Sequence, residues 1–403
     1  MQKYIHEFMD HYLPKEEIVH RLPVTMPIEP FWESLTRARM DRRMLLPLLD
    51  QDDQLLYLVV NGSITRQSDE VAAFARRELD EDLSGMEDDL TSIMLEEALA
   101  SAEVEGIVIP KDRARRLVRF HHRPVTLAEE TVVNNYNAIA YMLEHLHEPL
   151  TIAVIQELAQ ILTVRRGQST LTGYRRDNVS VARGRQVIYN PPDIYKIPSM
   201  MISLEDFIRE SPLHPVLKAC IAHYYLLYIY PYAEGNGRLA RLVGTMMLMQ
   251  GGYGFFRHAS LSREVAAHQD DYEKAMTYVE QSGGDVTYFV DVASRMLAKS
   301  LTVMEDHLTH QVWGEKTLKE VEKSRLPKRI KKGVAWLINT RKEGVTVEEW
   351  KKKHRVSTET SRHDLLVLRD LAIVNRTMEG RKAVFLLQWG KKLNPIVWEE
   401  PEA

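Results

Sequence analysis

Two arginines, two glycines, an asparagine and a glutamate stand together in the stretch Tyr230-Pro231-Tyr232-Ala233-Glu234-Gly235-Asn236-Gly237-Arg238-Leu239-Ala240-Arg241. Apolar runs, Ala219 to Ile229 and Leu242 to Met249, flank it and read as buried helices. The proline and glycines between them predict a tight turn that opens onto a helix N-terminus. Such a terminus favours anions, because its first N–H groups lack partners and carry the positive end of the helix dipole. Gly235 and Gly237 let backbone approach a phosphate with no Cβ between. Arg238 and Arg241 are three apart, share a helix face, and can hold two phosphate groups of one ligand. Glu234 sits at the rim, where a carboxylate can hold a magnesium ion bridging phosphate oxygens. The plainer alternative is a surface turn with a solvated arginine pair, and the two flanking apolar helices argue against it.

The stretch resembles the signature of the Fic family, H-P-F-x-[DE]-G-N-G-R-x-x-R. Pro231, Glu234, Gly235, Asn236, Gly237, Arg238 and Arg241 match, and Tyr232 stands for the phenylalanine. The first position departs, with Tyr230 where the family has histidine. The resemblance implies transfer of AMP from ATP to a hydroxyl of a target protein, with that histidine as general base. It also implies that Asn236 and the loop amides hold the α-phosphate, Arg238 and Arg241 the phosphate tail, and Glu234 the Mg2+. ATP and magnesium are thus the expected cofactors, and a protein Ser, Thr or Tyr hydroxyl the acceptor. The substitution at Tyr230 leaves open whether transfer survives.

The elements that must position this stretch lie on both sides of it. The chain has 403 residues, 44% hydrophobic and 27% charged, with a formal charge of -4. That is ordinary globular composition, long enough for two or three domains. The expected fold is mainly α: a Fic-type helical core with a β-hairpin flap and a C-terminal winged helix-turn-helix. Residues 1–85 are read as an N-terminal appendage, 86–310 as the core and 320–395 as the winged helix. The single cysteine, Cys220, reads as a small buried hydrophobe, and no apolar run reaches membrane-spanning length. Without disulfides or a leader pattern, the expected location is the cytoplasm, with no membrane partner. Homo-oligomerisation is left open.

Within residues 1–85, Leu45 to Val60 holds two short strand-like runs about a polar turn. Glu78 to Glu105 contains eleven acidic residues and no basic ones, by default a solvated helix face. The helix near 95–106 is ended by Gly106 and leaves Glu105 at the negative end of its dipole, so a cationic partner is expected. Ser101-x-x-x-Glu105-Gly106 resembles the inhibitory helix of many Fic proteins, which implies that Glu105 pairs with Arg241 and blocks the γ-phosphate position.

Leu171 to Val181 and Gln186 to Pro192 read as the two runs of a hairpin. The resemblance makes it a flap that aligns the target chain by strand pairing, with Gly173, Tyr174 and Arg175 as docking residues. A hairpin that only covers the core is the alternative. His223 is read as a core residue. Lys323 to Arg355 holds twelve Lys or Arg against three acidic residues. Helix, helix, Ser-capped helix and a two-stranded wing around Glu379-Gly380 resemble a winged helix-turn-helix, a module that contacts DNA or protein. Thr358, Thr360, Ser361 and Arg362 would face DNA, whereas Glu359 and Asp364 oppose it. Alternatives to transfer are a non-catalytic ATP sensor, a DNA-binding regulator, and an enzyme that removes AMP with Glu105 activating water.

Overall fold

The computed structural model describes the chain except residues 79–89, 166–172, 184, 341, 380–381 and 395–403. It is mainly helical and divides into two units, Met1–Thr302 and Val303–Ala403. The first unit opens with α1 (Gln2–Asp10), α2 (Lys15–Ile18) and α3 (Ile28–Asp41), then the hairpin β1 (Met44–Leu49) and β2 (Leu55–Leu58). The strand-like runs of Leu45 to Val60 are therefore strands.

The described part of the N-terminal segment, residues 1–78, hydrogen-bonds to later elements of the first unit. The Tyr57 amide donates to the Gly284 carbonyl at 3.0 Å, and the Val286 amide donates to the Tyr57 carbonyl at 3.0 Å. Arg39 is buried, lies 3.8 Å from the Tyr12 ring centre, and donates to the Tyr288 hydroxyl at 2.9 Å. Tyr12 in turn donates to the buried Asp285, whose other oxygen accepts from the Thr287 amide. Asp285 therefore bonds the first turn of a helix and anchors the N-terminal segment as well.

Next come α4 (Gly62–Glu78), α5 (Leu90–Glu103), α6 (Lys111–Arg119), α7 (Leu127–Glu144) and α8 (Ile152–Thr163). A two-stranded antiparallel hairpin, β3 (Val181–Arg183) and β4 (Gln186–Tyr189), precedes α9 (Ile197–Glu210). The central pair is α10 (Pro215–Ile229) and α11 (Asn236–Gln250). Both are buried around nearly their whole circumference, which requires other elements on every side. They pack closely at Gly244, where even a Cβ would be in ordinary contact with His223 Cβ at 3.4 Å and the Ala219 carbonyl oxygen at 3.7 Å. The hydroxyls of Tyr225 and Tyr228 on α10 bond the Leu49 carbonyl and the Gln51 amide, so the β1–β2 hairpin holds α10 from outside. The unit continues with α12 (Leu261–Ala267) and α13 (Gln269–Gln281), and α14 (Thr287–Lys323) contains the boundary at Thr302.

The second unit holds the remainder of α14, then α15 (Lys328–Asn339), β5 (Gly344–Thr346), α16 (Val347–His354), α17 (Thr358–Asp370), β6 (Val374–Glu379) and β7 (Lys382–Leu387). The strands form one antiparallel sheet in the order β5-β7-β6. Ser357 caps α17 as its sequence predicts, accepting from the Thr360 amide at 3.0 Å. The expected tip around Glu379-Gly380 lies partly outside the described residues. The core closes on Trp350, fully buried among Ile330, Val334, Leu365 and Phe385. Gly333 makes room for it, since a Cβ there would lie 2.0 Å from Trp350 Cη2. Gly333→Ala should therefore destabilise the second unit by about 3 kcal/mol or more through overpacking. Tryptophan fluorescence during urea unfolding reads this directly, and an unshifted transition would contradict the packing described.

Candidate functional site

The site begins where α10 stops. Tyr230 ends that helix in the left-handed region, φ 49 and ψ 58, a rare conformation for a bulky side chain. Arg175 holds it there. Its amide donates to the Pro231 carbonyl at 2.8 Å, and its Nε donates to the Tyr230 carbonyl at 2.9 Å. Its Nη1 donates to the Asp177 carbonyl at 2.8 Å, and its Nη2 to the Pro192 carbonyl. Arg175 is thus a buried brace between the motif turn and the hairpin segment, not a docking residue on a strand. Gly173 is exposed and Tyr174 half-buried, both ahead of β3. The first hairpin strand is shorter and later than the Leu171 to Val181 run, because Arg175 and Asn178 draw residues 173–180 into irregular hydrogen bonds.

Asn236 closes the turn from the other side. Its side-chain carbonyl accepts from the Tyr232 amide at 2.9 Å, and its Nδ2 donates to the Tyr232 carbonyl at 2.7 Å. The side chain is fully buried, so its main part here is to shape the loop, where a direct phosphate contact was expected. Gly235 follows at φ 77 and starts α11. A Cβ on Gly235 would lie 3.2 Å from Thr163 Cγ2, and one on Gly237 would lie 3.2 Å from Glu105 Oε1. The two glycines therefore admit the end of α8 and a carboxylate, respectively.

That carboxylate organises the arginines. Glu105 lies beyond the last residue of α5, in a turn closed by Gly106 at φ 74 and by an Ile107 amide bond to the Ala102 carbonyl at 3.0 Å. Its Oε1 accepts from the Arg238 amide at 3.1 Å and its Oε2 from Arg238 Nε at 2.8 Å. Arg238 Nη1 also donates to Asn135 Oδ1 and the Leu162 carbonyl. Arg241 stands 3.7 Å from Glu105 and instead donates to the Ser101 carbonyl at 2.9 Å and hydroxyl at 3.0 Å. The expected Glu105–Arg241 pair is therefore chiefly a Glu105–Arg238 pair. The Ser101 carbonyl and hydroxyl take the Arg241 guanidinium, while the amide and Nε of Arg238 face Glu105.

The acidic helix face is not simply solvated. Glu97, one turn before Ser101, accepts from the hydroxyls of Ser260 and Ser262 and from the Ser262 amide, tying α5 to α12. Burial pushes its pKa up, against the pull of those serines. Ser101 continues the same face of α5, and Glu105 follows in the turn just beyond it.

Tyr230 is half-buried, with its ring edge-on to Tyr189 at 6.4 Å. Burial, then the Glu105 charge, raises its pKa, and these outweigh the Asn236 contact and the charges of Arg238 and Arg175. The arginines do not activate the phenol, which stays protonated at neutral pH. His223 is no substitute base. Burial, then Arg241, lowers its pKa to about 3, and its Nε2 lies 2.7 Å from the Tyr272 hydroxyl. Burial raises the Cys220 thiol to about 12, as befits an inert core residue.

Sequence reasoning missed Arg165. Its Nε donates to Glu234 Oε1 at 3.1 Å and its Nη2 to Oε2, so both oxygens of the expected magnesium ligand have a guanidinium partner. No cluster of three His, Cys, Asp or Glu suited to a metal occurs among the described residues. Magnesium fits here only as Glu234 plus phosphate and water oxygens, once Arg165 has moved.

Residues 149–248 match the model of the Fic/DOC family. The chain carries a Fic domain. Among curated relatives, the Protein adenylyltransferase Fic of Drosophila willistoni is 40% identical over 83 residues, and that of Drosophila virilis 38% over 80. Each alignment covers 20% of this chain and 16% of the relative, so most of the relatives' length has no counterpart in the match. A crystal structure of a Fic family protein from Desulfovibrio desulfuricans shares the fold, with a TM-score of 0.54 at 18% identity. That likeness covers 83% of this chain and 98% of the other. The family match includes the turn, both glycines and both arginines. Ser101 and Glu105 lie outside it.

Tyr232 has a further peculiarity. Its hydroxyl is buried with no hydrogen-bond partner among the described residues. Tyr232→Phe should therefore raise stability by about 1 kcal/mol, by removing an unsatisfied polar group. Calorimetric melting checks this, and a fall in stability would show that the hydroxyl is bonded.

Proposed function

We propose that this protein is a Fic-type protein adenylyltransferase, restrained by Glu105 and slowed by Tyr230. The observation that carries the reading is where Glu105 sits: on the Arg238 guanidinium and the Arg238 amide, at the N-terminus of α11. That is where the dipole, a free N–H and a guanidinium together favour an anionic oxygen. A carboxylate from another helix already occupies the position a phosphate of ATP would take.

In the reaction, a Ser, Thr or Tyr hydroxyl of a target protein attacks the α-phosphorus of ATP. A new O–P bond forms, the bond to the bridging oxygen breaks, and pyrophosphate leaves with its electron pair. Arg238 and Arg241 neutralise phosphate charge, and the braced turn fixes orientation. Magnesium, when bound at Glu234, supplies further charge neutralisation on the phosphates. The hydroxyl proton must go to a base, and the protonated Tyr230 phenol is a poor one. The two-stranded β3–β4 hairpin leaves an outer edge on which the target segment would pair. No helix among the described residues is long and apolar enough to cross a membrane.

Two variants test this. Glu105→Gly should tighten or reorient ATP, read by titration calorimetry. Adding Tyr230→His should raise labelled-AMP transfer by about 10² to 10⁴, the usual worth of a general base. Strong transfer by the parent, with no gain in the double variant, would show that Tyr230 works as it stands or that another group is the base.

For the second unit we propose a winged helix that contacts DNA. Asp364 does not oppose this, because it is fully buried and accepts from both Arg329 nitrogens and from Trp350 Nε1. Ser361 also turns inward, bonding the Ser357 carbonyl, whereas Thr358, Arg362, Lys352, Lys353 and Arg355 are exposed. Binding to a DNA duplex should fall steeply between about 50 and 200 mM salt. Arg362→Ala with Lys353→Ala should weaken it and reduce the salt slope. Absence of low-salt binding would favour a protein-contact role.

A further inference from the structure

The Arg165–Glu234 pair has a consequence beyond restraint by Glu105, one that rests on the nucleotide-binding reading above. We infer that Arg165 is a built-in counter-charge that competes with the divalent cation for Glu234, so that nucleotide affinity at this site depends only weakly on metal.

The pair is not a loose surface contact. Arg165 follows α8, whose C-terminal end is docked on the motif. The Leu162 carbonyl accepts from Arg238 Nη1 at 3.0 Å, and the Val164 carbonyl accepts from Asn134 Nδ2 at 2.8 Å. The chain is thus pinned by hydrogen bonds immediately before Arg165. Its side chain is 22% exposed and that of Glu234 35%, so the pair is only partly screened by water. Two nitrogens of one guanidinium take two oxygens of one carboxylate, the bidentate arrangement that is hardest to displace.

Three properties follow. The carboxylate is neutralised without metal, so an incoming polyphosphate meets no bare anion at the rim. A guanidinium has five N–H donors, and the two that hold Glu234 leave others for phosphate oxygens. Magnesium, which dehydrates reluctantly and here has a single protein carboxylate, must displace the fork to bind. The pair therefore sets a cost on metal binding and a benefit on metal-free nucleotide binding, both through Glu234.

The test is ATP binding to the full-length protein by titration calorimetry, in EDTA and in excess magnesium. Each condition is measured for the parent, Arg165→Ala, and Arg165→Ala with Glu234→Ala. The ratio of the two dissociation constants is the readout. The parent should show a small ratio. Arg165→Ala should bind ATP more weakly in EDTA and raise the ratio about tenfold, the scale of one charge-assisted bidentate contact. Adding Glu234→Ala should abolish that rise, which shows that it passes through the carboxylate. Equal ratios in the parent and Arg165→Ala would overturn the inference while leaving the nucleotide site standing. Failure of the parent to bind ATP in either condition would overturn both. Circular dichroism on each variant confirms that the fold is retained, which a change at a partly exposed pair permits.

Discussion

Two guanidinium groups lie inside this protein, Arg238 at 5% and Arg241 at 2% exposure, and the core around them is arranged to accommodate their charge. A buried cation is costly unless paired and hydrogen-bonded, so each needs a full set of acceptors. Glu105, Asn135 and the Leu162 carbonyl serve Arg238; Ser101 serves Arg241 with both its carbonyl and its hydroxyl. Those acceptors come from α5, α7 and α8, three helices whose docking on α11 is thereby specified. Glu105 is the carboxylate that faces both cations, 2.8 Å from Arg238 and 3.7 Å from Arg241. Pairing these cations with acceptors from neighbouring elements holds α5 against α11.

The turn before those arginines depends on a second constraint. A left-handed tyrosine, a proline and a left-handed glycine reverse the chain between two buried helices. Arg175 and Asn236 fix this reversal from opposite sides, using side chains as substitutes for the backbone hydrogen bonds a helix would supply. The buried phenol beside Glu105 is the chemical cost of that setting. An imidazole in the same place would have a basic nitrogen near neutral pH, whereas the phenol holds its proton far above it.

In the second unit a carboxylate again does the organising. Asp364 on α17 receives Arg329 from α15 and the indole of Trp350 from α16, so one buried anion joins three helices. That removes one acidic group from the outer surface of α17, where Glu359 and Asp370 stay exposed beside Arg362 and Arg369.

Much of this was legible in the letters. Continuous apolar runs marked α10 and the later part of α11, because a helix segment buried on every side is mostly apolar on every side. Gly235 and the proline before it marked the turn and the start of α11, because such residues punctuate a chain locally. Gly106 and Ser357 marked helix ends, because capping is local chemistry. What the sequence could not contain was distance. Whether Glu105 meets Arg238 or Arg241 was decided by which acceptors each arginine faces once α5 docks on α11. Glu97 read as a solvated charge and Asp364 as an obstacle to DNA until packing showed both to be held by partners more than ten residues away. Residues 1–85 read as an appendage because their anchors, Asp285 and Tyr288, are more than two hundred residues distant in the chain. Arg165 carried no signal, since its only distinction is the carboxylate 69 residues later that it faces. Local propensity and pattern determined the elements and the motif. Tertiary packing decided which charges meet, because Coulomb energy and desolvation depend on separation in space, and sequence order does not encode that separation.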